Sequence, residues 1–281
     1  MPERRFPAQP GVVPAARRSG GTLFAALHGT LVPHRRVDPR PQLDAHALFH
    51  QRSVAMGWLD DRSAGGGSEA GMARAPGLWS TNDAGWGHPL GAVDTDLISW
   101  FQVEATAVAD DRPLPVQPLL HCAESATARA GVVDLAAIQV LLPVQGLVGV
   151  ARPPYAPVPA ARTTEWFPAC DPRTATPVEV TVTGGRDRAV TGSARALADD
   201  VARVARPVFD CRGLDVVGPE ALRPPPFDDR FWNGPASDGV RMRGHLSEWT
   251  TDAIGWLSEV IADVSARLGI RAPALVTVTR A

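Results

Sequence analysis

The sequence predicts an α+β fold, and its clearest unit, of order β-α-β-β-α-β, occupies residues 177–281. Three observations carry the prediction. Val178, Val180 and Val182 alternate with Glu179, Thr181 and Thr183, the period of a half-buried strand. Ala194, Leu197, Val201 and Val204 recur at helical spacing, with Ser193 placed to cap the start and Pro207 to stop the end. A longer stripe, from Ala253 and Leu257 through Val264 to Leu268, opens at Thr250 or Thr251 with Asp252 in its first turn. It closes on Gly269, where a left-handed C-cap belongs.

Between these elements, the apolar run 214–217 reads as a second strand. Val240, Met242 and Leu246, set against Arg241, Arg243 and His245, read as a third, and 274–279 as the last. The order is that of a ferredoxin-like split βαβ unit, a fold that hosts many unrelated functions.

The N-terminal half reads as a second, more degenerate α+β unit over 21–150, packed on the first sheet to sheet or edge to edge. Residues 22–32 are expected as a strand, 43–59 as a helix, 97–108 as a strand, 119–133 as a strand then a short helix, and 137–144 as a buried strand. Residues 1–20, rich in Pro, Ala and Arg, are expected to form a flexible arm. A Pro-rich linker is expected over 151–176, densest at 151–161. No identity between the halves is visible, so a duplication stays open.

At 281 residues and 44% hydrophobic content, the chain is long enough for two globular units. A net charge of −2 gives no general attraction to nucleic acid or to an anionic membrane. Every basic residue among the 28 is Arg, the composition of a GC-rich bacterial genome, and the chain is free of lysine. The 3 cysteines, Cys122, Cys170 and Cys211, have neither disulfide-framework nor zinc spacing. No apolar run reaches the roughly 18 residues of a membrane span, and no signal-peptide core precedes the first strand, so a cytoplasmic protein is expected.

Two stretches combine aromatic rings with backbone punctuation. Around 78–91, Trp79, Trp86 and His88 interleave with glycines in what reads as a loop, and either line a pocket or plug the loop into the core. The connection 218–239 is far longer than a hairpin needs and carries three consecutive prolines, Pro224, Pro225 and Pro226, with Phe227, Asp228, Asp229, Arg230, Phe231 and Trp232. It reads either as a lid over the open sheet face or as a ligand or partner contact.

No acid–base or metal set closes. His46 and His50 stand at i and i+4, a spacing that lets two imidazoles meet one metal, but the Glu of a metalloprotease helix is absent at Ala47. His121-Cys122 with Ser125 and Arg129 misses the cysteine-phosphatase loop by one residue and lacks its glycine, so Cys122 reads as a small buried residue at a strand end. Asp94-Thr95-Asp96 reads as a turn before a strand. Nucleotide-cradle motifs and a serine-hydrolase elbow are missing.

The expected function is binding of a small molecule or a protein partner, as a monomer or a homo-oligomer, with Trp79, Trp86, Asp228, Asp229, Arg230, Phe231 and Trp232 as contacts. An enzyme of a specialised biosynthetic pathway is the alternative, with a pocket between the halves and His88, His121 and Glu104 as candidate catalytic groups. A structural subunit of a larger assembly is the third reading. The residues name no cofactor.

Overall fold

The alternating apolar residues of both halves line up in one sheet. The structure, a computed structural model, describes residues 21–34, 44–59, 79–87, 96–105, 113–147, 166–229 and 232–281. The arm at 1–20, the dense proline stretch 151–161, His88, Asp94, Thr95, Arg230 and Phe231 lie outside the described residues.

The strands are β1 (Gly21–Pro33), β2 (Trp79–Trp86), β3 (Leu97–Ala105), β4 (Gly131–Leu142), β5 (Thr176–Thr183), β6 (Phe209–Val217), β7 (Gly239–Leu246) and β8 (Ala274–Arg280). Among the described residues the helices are α1 (Ala45–Ala55), α2 (Val116–Thr127), the single turn α3 (Ala189–Gly192), α4 (Ala194–Ala205) and α5 (Thr251–Arg267). The eight strands pair antiparallel in the order β2-β3-β1-β4-β8-β5-β7-β6. The fold is therefore mixed α+β, and the halves join edge to edge through β4 and β8, where Val140 faces Val276.

Each half places its strands in corresponding positions. The N-terminal half runs β1-α1-β2-β3-α2-β4, with a strand at 79–86 where the sequence predicts none, and the C-terminal half repeats that order as β5-α4-β6-β7-α5-β8. Even a defect is shared. The register of β2 against β3 slips by one residue between Thr81 and Asp83, and that of β6 against β7 slips between Cys211 and Gly213. These bulges sit equally far from the first pairs, Trp79 with Ala105 and Phe209 with Leu246.

The long helices cover one face. Leu23, Ala25, Val180, Val182, Met242 and Val278 point into a core filled from above by Leu119, Leu197, Trp256, Leu257 and Ile261, all fully buried. Side chains of this size each stabilise the fold by ~1.5–3 kcal/mol on leaving water. Helix α5 starts as its sequence dictates, with Thr250 Oγ1 accepting the Ala253 N–H at 3.2 Å, and it ends before Gly269 at φ +81°. Ser193 lies at the start of α4 but makes no capping bond. Among the described residues no helix is long and apolar enough to cross a membrane.

Three expectations are corrected. Residues 79–86 form a strand, not a loop. The bulge hides its period, because it brings Trp79 and Trp86 to the same, helix-covered side although they are seven positions apart. Residues 116–133 run helix then strand, the reverse of the expected order: α2 starts at Val116 with Pro118 in its first turn, where a missing N–H costs nothing. Cys122 therefore lies buried on α2, where Trp58 Nε1 donates to its sulfur at 3.4 Å, and not at a strand end.

Candidate binding site

The face of the sheet opposite the helices is chemically divided at the β4–β8 seam. Phe24 faces Gln102 and Ala26 faces Trp100 in the N-terminal half, at the positions where Glu179 faces Arg243 and Thr181 faces Arg241 in the C-terminal half. The second set is a charge ladder. Arg243 donates to Glu179 at 2.8 Å and to Asp215 at 2.6 Å, and Arg241 lies 3.7 Å from both acids. The first set, Gln102 apart, is apolar, part of a cluster of Phe24, Ala26, Leu97, Trp100, Leu141 and Leu275.

The described parts of the β6–β7 connection, 218–229 and 232–238, cross from their own half to cover that cluster. Phe227 lies buried edge-on to Phe24 at 4.8 Å, and Trp232 stands edge-on to Phe227 at 6.2 Å. Phe24 in turn stacks on Trp100 at 5.8 Å. Such ring pairs contribute ~0.5–1.5 kcal/mol each beyond burial. One end of this strap is pinned by backbone bonds: Arg186 N–H donates to Asn233 O at 2.7 Å and Ser237 N–H to Gly185 O at 3.0 Å. Gly185 is required there, since its φ is +70° and a Cβ would fall 2.1 Å from Asn233 O.

The other end is pinned by a polar cluster around His28, which is only 4% exposed. Gln139 Nε2 donates to the carbonyls of Arg223 at 3.2 Å and Pro224 at 3.5 Å, and to Thr277 Oγ1 at 3.3 Å. Its amide oxygen therefore faces His28 Nε2, at 3.1 Å, and that nitrogen must carry a proton. On the other side of the ring, Arg223 Nη1 donates to Asp96 Oδ1 at 2.6 Å and lies 3.3 Å from His28 Nδ1. Asp96 Oδ1 is itself 3.1 Å from Nδ1.

Burial lowers the imidazole pKa and the Arg223 charge lowers it further, outweighing Asp96 and the hydrogen bonds that raise it. Burial raises the Asp96 pKa, but the Arg223 hydrogen bond and charge outweigh it and hold the carboxyl below its ordinary range. In the resulting state the neutral ring donates from Nε2 and accepts from Arg223 at Nδ1. Both nitrogens are thus engaged.

Some polar atoms of this face have no such partners. Trp100 Nε1, Gln102 Oε1 and Trp232 Nε1 are buried without a hydrogen-bond partner among the described residues. Trp100 and Gln102 are at most 1% exposed. Groups left so cost roughly 1–3 kcal/mol each. The Trp100 ring lies over Gly85 of β2, close enough that a Cβ there would meet it at 2.9 Å.

The sequence-derived candidates fall in several places. Trp79 is buried in the helix-side core and Trp86 packs against that core. Glu104 accepts from Asn82 at 2.9 Å, Gln102 at 3.1 Å and Thr22 at 3.5 Å, next to the apolar patch. His121 sits across the sheet among the helices, receiving Arg52 Nη2 at 3.3 Å with Asp252 at 4.0 Å. The rings of His46 and His50 stand parallel at 6.2 Å, and among the described residues no three His, Cys, Asp or Glu side chains gather as a metal site. Asp228, Asp229 and Trp232 belong to the strap, and Asp229 Oδ1 and Trp232 Nε1 flank Gly234.

His28, Gln139 and Arg223 were missed by sequence reasoning. The one local signal is a polar pair, His28 and Gln139, each inside an otherwise apolar strand. No protein-family model, no curated protein and no solved structure matches this chain.

Proposed function

We propose that the chain is a cytoplasmic small-molecule-binding protein whose site is the aromatic patch of Phe24 and Trp100, closed by the strap residues Phe227 and Trp232. The observation that carries this reading is the set of buried polar atoms in and beside the patch that have no partner among the described residues, two indole N–H donors and one amide oxygen. A ring-bearing ligand with a hydrogen-bond acceptor satisfies the donors and replaces the ring contacts of the strap. Binding is favoured over chemistry because both nitrogens of His28, which holds the strap beside the patch, are already engaged. Three free cysteines suit a reducing compartment.

In this reading each half is a ferredoxin-like unit and the pair arose by duplication. The shared strand order and the matching bulges support it. One copy then kept an apolar face for the ligand, and the other gained a self-neutralising charge ladder.

Native mass spectrometry of the full chain, incubated with a panel of heteroaromatic acids and amides, tests the reading. One-to-one adducts are expected. Trp100→Phe keeps the ring but removes its N–H, and should weaken them about tenfold, the equivalent of ~1.4 kcal/mol. A panel without adducts, or adducts indifferent to Trp100→Phe, would sink the assignment.

A further inference from the structure

The strap is held at one end by a titratable group, and the direction of that coupling follows from the hydrogen-bond geometry. We infer that His28, Asp96 and Arg223 form a proton-operated latch: neutral His28 holds the strap shut over the aromatic patch, and protonated His28 lets it go. The inference concerns regulation of the proposed site and rests on that reading for its purpose, while the latch belongs to the ligand-free chain.

Arg223 Nη1 stands between two acceptors, Asp96 Oδ1 at 2.6 Å and His28 Nδ1 at 3.3 Å. Because Gln139 already fixes the ring proton on Nε2, a second proton has only Nδ1 to occupy. That proton changes three things together. Nδ1 stops accepting from Arg223, it becomes a donor to Asp96 Oδ1 at 3.1 Å, and the ring acquires a positive charge beside the guanidinium. Arg223 loses one acceptor, shares the other and is repelled.

The charged groups acting on His28 are Arg223 from the strap and Asp96 from the start of β3. Strands β4 and β8 present only the neutral Gln139 and Thr277. Nothing on those strands compensates the new charge. Gln139 keeps its hold on the Arg223 and Pro224 carbonyls, so losing the Arg223 side-chain anchor loosens the strap beyond them, residues 225–229, and moves Phe227 off Phe24.

The ordinary imidazole value is 6.5 and the environment of His28 lowers it, so release occurs on the acid side of neutrality. A lowered histidine pKa also means that stability is full above 6.5 and is lost as pH falls toward the folded-state value. Latch release and partial destabilisation therefore run in the same direction.

The test is fluorine NMR of the full chain labelled with 5-fluorotryptophan, without ligand, with the Trp232 signal identified by Trp232→Phe. Between about pH 7.5 and about pH 5 the Trp232 signal is expected to move as a one-proton titration with its midpoint below 6.5. In His28→Gln it should stay still over that range, and in Arg223→Gln it should hold the acid-form position at every pH. Asp96→Asn keeps the imidazole and removes the charge that raises its pKa, so the midpoint should move to lower pH.

A flat wild-type titration overturns the latch. So does an unchanged titration in His28→Gln, a neutral-form signal in Arg223→Gln, or an unmoved midpoint in Asp96→Asn. No ligand enters this experiment, so a failed adduct screen leaves the latch standing and a failed titration leaves the site standing.

Discussion

The carboxylate of Glu259, on α5, takes both the backbone and the side-chain N–H of Gln117, at 3.0 and 3.1 Å, and the Val116 N–H at 3.1 Å. Helix α2 has Pro115 at its cap position and no side-chain cap of its own. A residue more than a hundred positions away therefore does the work of an N-cap. Burial pushes the Glu259 pKa up to about 7, although the three N–H donors lower it.

Glu259→Gln should change how stability depends on pH. A carboxyl whose folded pKa is about 7 against an ordinary 4.5 holds a proton in the folded chain that the unfolded chain releases between those values. Its contribution to stability therefore falls as pH rises through that window and is constant above it, by an amount on the order of 3 kcal/mol. The Gln oxygen still accepts both backbone N–H groups. Urea unfolding at about pH 5 and about pH 8 should show the variant gaining on the wild type at the higher pH. Taking this difference cancels the opposite slope from His28.

Gly255→Ala should destabilise the helix layer by about 1–3 kcal/mol. Gly255 lies one turn before Glu259 on α5, and a Cβ there would come 2.8 Å from Gln117 Cα and 3.1 Å from its nitrogen. Backbone cannot rotate aside as a side chain can, so α2 would have to move and Glu259 would lose its donors. Thermal unfolding followed by circular dichroism would reveal the loss, and a melting temperature equal to wild type would contradict it.

Gln139→Leu should cost about 2–4 kcal/mol. The change keeps the shape roughly but leaves His28 Nε2–H buried with no acceptor and removes the donor to Arg223 O and Pro224 O. Chemical denaturation gives the number. A loss under about 1 kcal/mol would mean that the amide is not what ties strap to sheet.

Phe227→Ala should uncover the patch while the fold survives. The residue is 4% exposed and touches Phe24, but it lies on a connection outside the helix-side core. Increased fluorescence of a dye for exposed apolar surface, with the far-ultraviolet circular dichroism unchanged, is the expected pair of results. A loss of helical signal would show that the strap supports the whole sheet.

The helix α5 and the strands β5, β7 and β8 were legible because each is written in local terms: a stripe, an alternation, a Thr cap, a glycine stop. Strand β2 was not, because its bulge puts Trp79 and Trp86 on the same side and breaks the period of two on which strand recognition depends. Helix α2 was misread because its start is capped from Glu259 rather than from its own flank.

The sequence by itself determined the α+β class, the elements of the C-terminal half and the unusual length and aromatic content of the 218–239 connection. Only the tertiary structure decided that this connection crosses the seam onto the other half. It alone placed Asp96 and Arg223 against His28, across 68 and 195 residues of chain. The reason is physical: periodicity and capping are set by neighbours within a few residues, whereas these contacts exist only because two half-sheets pair along β4 and β8, bringing the strap of one within reach of the open face of the other.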